Sequence, residues 1–156
     1  GRTMEYRLTT PCTAQDLAPL KAGDTVLLSG VVYTARDQAH KRMMEALDKG
    51  ETLPFDLEGS AIYYVGPTPE RPGEVIGSAA VKAAVVRNGA VYLAALGGAG
   101  ALMAKSVQTL EVIAWPDLGC EAVRRLTVQD MPLTVVLDAH GGDLYEEGPA
   151  AYLAAL

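Results

Sequence analysis

Cysteine is scarce in this chain: Cys12 and Cys120 are the only two in 156 residues. Two thiols far apart in sequence cannot hold a cubane iron–sulfur cluster or a four-cysteine zinc site, so no metal centre is expected on this chain. Reduced thiols in a cytoplasmic protein are the expectation for so sparse a cysteine content. Long apolar runs are missing too. No stretch reaches the about 18 residues that a membrane-spanning helix needs, and no basic segment leads into an apolar one, so neither membrane insertion nor a secretory signal is expected. Positive charge is in deficit, with 13 Lys and Arg against 19 Asp and Glu, a net charge of −6 and a pI near 4.8. Nucleic acid phosphates would be repelled by that balance. A small anion is still compatible with it, given a local cluster of cations that works against the overall field. Nucleophile-elbow, Walker-loop and paired Cys–His patterns are all absent.

Apolar residues make up 49% of the sequence, and the length fits one domain of about 100–200 residues with a core of its own. β-rich runs recur at Thr25–Gly30, Ala61–Val65, Ala90–Leu96, Leu110–Trp115, Ala122–Val128 and Leu133–Asp138. The runs at 61–65 and 133–137 are nearly continuous in apolar character, as strands covered on both faces are. A first helix is predicted from Thr34 as N-cap, with Asp37 favouring its positive end, a stripe of Ala39, Met43, Ala46 and Leu47, and Gly50 as the left-handed stop. A second is predicted over Ala80–Asn88, and a short third over Ala99–Lys105. Strands alternating with helices predict an α/β domain. Its last three strands follow one another without a helix, so the sheet is expected to be mixed. Residues 66–73, with three prolines and two glycines, are expected to form a loop.

The densest polar cluster runs from Ser29 to Arg42. A strand-to-helix junction is predicted within it, where free N–H groups and the helix dipole attract anions. Arg36 is expected in the first helical turn, where a cation opposes the dipole, and an anionic ligand accounts for it more readily than stability does. Its guanidinium is suited to a two-pronged grip on a carboxylate. The competing reading pairs Arg36 with Asp37 or another nearby acid on a solvated face. His40 lies one turn along the same helix, where an ordinary surface or packed histidine is the simpler reading. Gly97-Gly-Ala-Gly100 reads as close helix–sheet packing or as a nucleotide-cradling turn. Asp138-Ala-His-Gly-Gly-Asp143 reads as a surface turn, because a metal site wants more ligands at tighter spacing.

The run from Lys21 to Arg42, Lys-Ala-Gly-Asp-Thr-Val-Leu-Leu-Ser-Gly-Val-Val-Tyr-Thr-Ala-Arg-Asp-Gln-Ala-His-Lys-Arg, resembles the opening of a known family. That family is the β subunit, or C-terminal domain, of iron–sulfur-dependent class I fumarate hydratases and L-tartrate dehydratases. The resemblance continues through Leu53-Pro-Phe-Asp-Leu57, Ile62-Tyr-Tyr-Val-Gly-Pro-Thr-Pro69 and Pro72-Gly-Glu-Val-Ile-Gly-Ser78. It holds again in Asn88-Gly-Ala-Val-Tyr-Leu-Ala-Ala-Leu-Gly-Gly98 and Trp115-Pro-Asp-Leu-Gly119, and so covers nearly the whole chain. It implies a swivelling β/β/α domain with a mixed sheet. The implied partner is an α subunit carrying a 4Fe–4S cluster whose open iron acts as a Lewis acid on the substrate hydroxyl. The implied reaction is hydration of fumarate to malate, or dehydration of tartrate. By position in the Ala-Arg-Asp motif, Arg36 matches a family arginine that grips a substrate carboxylate, with Asp37 and His40 as further substrate-binding candidates. A hetero-oligomer is implied, or a homodimer when the chain is alone.

One departure matters. After Gly-Ser-Ala the family continues Gly-Pro-Thr-Thr-Ser-x-Arg-Met, whose threonine is the proposed proton-transfer base, and runs on to a Lys-Gly. Here Ala79 leads straight into Ala80-Val-Lys-Ala-Ala-Val-Val-Arg-Asn-Gly89, resembling the helix that follows that segment in the family. A protein that truly lacks the segment cannot be a normal hydratase. It would instead be a binding or assembly module with the same fold, while a gene encoding the segment between Ala79 and Ala80 restores the enzyme.

Overall fold

A computed structural model describes residues 4–65, 79–96 and 100–145. Four strands, β1 (Glu5–Thr9), β2 (Thr25–Thr34), β3 (Ala61–Tyr63) and β4 (Val91–Ala94), run parallel in that order. Two further strands, β5 (Val107–Ala114) and β6 (Val123–Leu137), join antiparallel, with β6 pairing β2, β4 and β5. The pairings β2–β3, β3–β4, β4–β6 and β6–β2 therefore form a closed ring, which leaves β1 and β5 outside it. The sheet is mixed, as its helix-free final strands predict.

Alternation along the strands sorts the core into two clusters. Val91 and Leu93 of β4 pack in a cluster with Val26, Leu28 and Val32 of β2 and Leu126, Val128 and Leu133 of β6. Tyr92 and Ala94 point the other way, into a cluster with Ala39 and Met43 of α2 (Asp37–Asp48) and Val81 and Val85 of α3 (Ala79–Arg87). Every residue of β4 is buried, the outcome expected of a parallel strand covered on both faces. A short helix, α1 (Ala14–Leu17), closes the first cluster with Leu17, and its Thr13–Asp16 capping box satisfies two otherwise free N–H groups. The fourth helix, α4 (Gly100–Ser106), leads into β5.

Several predicted boundaries move. Thr34 does not cap α2: it ends β2, and its hydroxyl accepts from the Arg124 N–H at 2.9 Å, stapling β2 to β6. Arg36 is the N-cap, with extended backbone and no side-chain capping bond. The buried stripe of α2 is Ala39, His40, Met43 and Ala46, while Leu47 is 45% exposed. The predicted strands at 122–128 and 133–138 are one continuous strand, β6. β1 is an additional strand with no counterpart among the predicted runs.

Gly30 marks the irregularity in the β2–β6 ladder. Its φ of +105 is in the region glycine favours, and an added Cβ would sit 2.8 Å from the Thr10 carbonyl oxygen. Gly30→Ala is accordingly expected to destabilise by about 2 kcal/mol, read as a lower urea midpoint at unchanged slope. A wild-type midpoint would show that the backbone relaxes there.

Candidate active site at the carboxyl edge of the parallel strands

The chain leaves β2, β3 and β4 at neighbouring points. The Ala35 N–H donates to the Tyr63 carbonyl at 3.2 Å, and the Tyr64 N–H to the Leu93 carbonyl at 2.7 Å. α2 begins at this edge, so the positive end of its dipole faces the same place. Crevices outside the carboxyl ends of parallel strands are where α/β folds bind ligands.

Arg36 occupies the corner. Its guanidinium lies over the Tyr64 ring, 4.6 Å from the centroid. Nη1 donates to the Val65 carbonyl at 3.0 Å and Nη2 to the Tyr64 hydroxyl at 3.3 Å. Each η nitrogen carries two hydrogens, so each keeps one N–H beyond these bonds. The Arg36 Nε is buried and has no partner among the described residues. The Tyr64 hydroxyl in turn donates to Asp37 Oδ2 at 3.3 Å. Burial pushes the Tyr64 phenol up and Asp37 adds to that push while Arg36 opposes it, so the group stays protonated and able to donate.

Sequence proximity placed Arg36, Asp37 and His40 together, and the structure divides them. Arg36 and the exposed Asp37 meet at the rim through Tyr64. His40 is 1% exposed and sits behind them in the core, its ring 4.9 Å from that of Tyr92. Both His40 ring nitrogens and the Tyr92 hydroxyl are buried without partners among the described residues. Burial lowers the His40 pKa to about 4, so the ring is neutral at pH 7. Tyr64 meets Tyr92 edge-on at 5.8 Å, completing a column Arg36–Tyr64–Tyr92–His40 that starts at the N-cap of α2 and ends in its first turns. Tyr64 and Tyr92 are the members that sequence reasoning missed; the clue was a tyrosine inside each of the apolar runs 61–65 and 90–96.

Elsewhere the chemistry is structural. Asp138, read as part of a surface turn, is buried and accepts N–H groups of Ala22, His140 and Gly142 at 2.9, 2.9 and 2.8 Å. Asp143 is buried as well and pairs with Lys82. No group of three or more His, Cys, Asp or Glu that could hold a metal occurs among the described residues. Cys12 lies half-buried after β1 and Cys120 exposed in the 3-10 turn Pro116–Glu121, and burial, reinforced by Asp16, raises the Cys12 thiol pKa. Such residues do not fit an iron–sulfur cluster. Residues 66–78 and 97–99, which include the predicted loop and most of the glycine turn, lie outside the described residues.

The family model for the fumarase C-terminus matches the chain in two stretches, residues 2–81 and 78–148. A protein of Methanocaldococcus jannaschii named "Putative L(+)-tartrate dehydratase subunit beta" is 35% identical over 181 aligned residues, covering 92% of each chain. Fumarate hydratase 2 of Leishmania major is 31% identical, across 85% of this chain and 29% of its own length. The aerobic class I fumarate hydratase of Salmonella typhimurium is 27% identical, across 94% and 31%. The chain thus spans nearly all of one relative and under a third of the other two.

Proposed function

Because the chain belongs to the fumarase C-terminal family, whose named relatives are hydro-lyases, we propose that it is the β component of an iron–sulfur-dependent hydro-lyase. In this reading it adopts the swivelling β/β/α arrangement and closes over a 4Fe–4S cluster carried by a separate α subunit. The name of the Methanocaldococcus relative, a subunit beta, supports a split enzyme of this kind. The substrate is a small dicarboxylate, fumarate or a tartrate-like hydroxy acid. This chain's contribution is to bind and orient it. The observation that carries the proposal is the Arg36 guanidinium, held at the carboxyl edge of the parallel strands with one N–H on each η nitrogen beyond its bonds to the described residues. Asp37, across the Tyr64 hydroxyl, shapes the charge around it, and His40 supports the corner from beneath.

The test is reconstitution with the cluster-bearing partner under anaerobic conditions and assay against fumarate, malate and the tartrates. Turnover of at least one is expected. Arg36→Lys is expected to raise the apparent KM about tenfold, because a two-pronged grip becomes a point charge. Unchanged kinetics would remove Arg36 from the site.

A second reading, a non-catalytic binding or assembly module, is favoured by one feature: Ala79 runs directly into Ala80, where the resemblance implies a segment with the proposed proton-transfer threonine. The two stretches of the family match also meet here, at residues 78–81. Sequencing the gene between those two codons decides it. A Thr-Thr-Ser-x-Arg segment there supports the enzyme, and direct continuity supports the module.

A further inference from the structure

We propose that Tyr64 is a positioning residue that keeps Arg36 available to an anion by holding it apart from Asp37; this rests on the carboxylate-binding reading of Arg36. An arginine next to an aspartate at a helix start would ordinarily pair with it, and the pair would have little charge left for a ligand. Among the described residues no direct ion pair joins these two side chains. The Tyr64 hydroxyl stands between them instead, accepting from Arg36 Nη2 at 3.3 Å and donating to Asp37 Oδ2 at 3.3 Å. A phenol suits this place because it accepts and donates at once and remains neutral. Its ring also carries the guanidinium face-on at 4.6 Å. Among the described residues, two of the three contacts that fix the Arg36 side chain are therefore made by Tyr64, and the third is made by the carbonyl of the next residue, Val65.

The ring itself is anchored. Tyr64 is 3% exposed and packs edge-on against Tyr92 at 5.8 Å. Loss of the hydroxyl alone should leave the ring in place and allow Asp37 to swing directly onto Arg36. A merely structural tyrosine would lose stability on the same change without altering how Arg36 meets a ligand.

In the reconstituted enzyme, Tyr64→Phe is expected to raise the apparent KM for the dicarboxylate about tenfold while kcat changes less than about threefold. Adding Asp37→Asn should bring the KM most of the way back, since the competing carboxylate charge is gone. In the chain alone, nitrogen-15 NMR of the Arg36 guanidinium should show restricted rotation about Nε–Cζ, altered by Tyr64→Phe and returning toward wild type in the double variant. A wild-type KM in Tyr64→Phe, an Asp37→Asn change that fails to rescue, or an unaltered Arg36 signal overturns the proposal. If Arg36→Lys itself leaves the KM unchanged, the carboxylate reading fails. If Arg36→Lys raises it and Tyr64→Phe does not, only the positioning role fails.

Discussion

Acidification from pH 6.5 to pH 4 is expected to remove about 3 kcal/mol of stability through His40 alone, about 2 kcal/mol of it by pH 5. The ordinary imidazole pKa of 6.5 falls to about 4 at this position because burial disfavours the charged ring. The folded state therefore binds fewer protons than the unfolded one throughout that window. Stability from this source is fully present above pH 6.5, declines as pH falls toward 4, and changes no further below it. Among the described residues no carboxylate offsets the penalty: the ring packs on Tyr92, and its nitrogens have no partners there. Urea titrations at successive pH values should show the decline, and His40→Leu should flatten that part of the curve. An equal slope in His40→Leu would show that the loss comes from other groups.

Asp138→Ala should be more damaging still at neutral pH, lowering stability by about 4 kcal/mol. Its carboxylate takes three backbone N–H groups, two within its own turn and one from Ala22, which precedes β2 by only three residues. Alanine leaves all three donors without their acceptor in a largely buried place. Asp138→Asn is the informative control. Its amide oxygen can still serve His140 and Gly142, whereas its NH2 group would face the Ala22 donor, so a smaller loss of about 2 kcal/mol is expected. Chemical denaturation measures both. A midpoint within error of wild type for Asp138→Ala would mean that water replaces the carboxylate.

The periodic elements were legible in the sequence because their signals are local. The strands at β3, β4 and β5 and the helices α2 and α3 all fall on their apolar runs, and Gly50 takes the positive φ of 71 that its place after α2 suggested. The misses arise where distant contacts decide. Two runs, 122–128 and 133–138, were predicted with residues 129–132 between them, yet β6 runs through the interval. Pro132 is tolerated opposite Leu27, and Asp130 takes φ 49 beside the ladder irregularity. β1 alternates half-buried and exposed residues over five positions, too short and too polar to stand out until it pairs with β2. His40 read as a neighbour of Arg36 and as either a surface or a packed histidine, and the structure decides for the packed one, while Leu47, seven residues on and expected on the stripe, is exposed. Tyr64 could not be linked to Arg36 by spacing, because 28 positions separate them. The corner itself was legible, as a cation at a strand-to-helix junction.

The strand that closes the β2–β3–β4–β6 ring is also the last of the four to leave the ribosome. Thr25 of β2 pairs with Thr134 of β6, so most of the chain must be synthesised before that ladder exists. Until then the nascent β2 and β4 each expose a bare edge, and Val26, Leu28, Val91 and Leu93 lack their cover from Leu126, Val128 and Leu133. Contacts so distant in sequence make for slow closure. Any product halted before Val123 would be a sticky fragment, a natural client for chaperones and proteases.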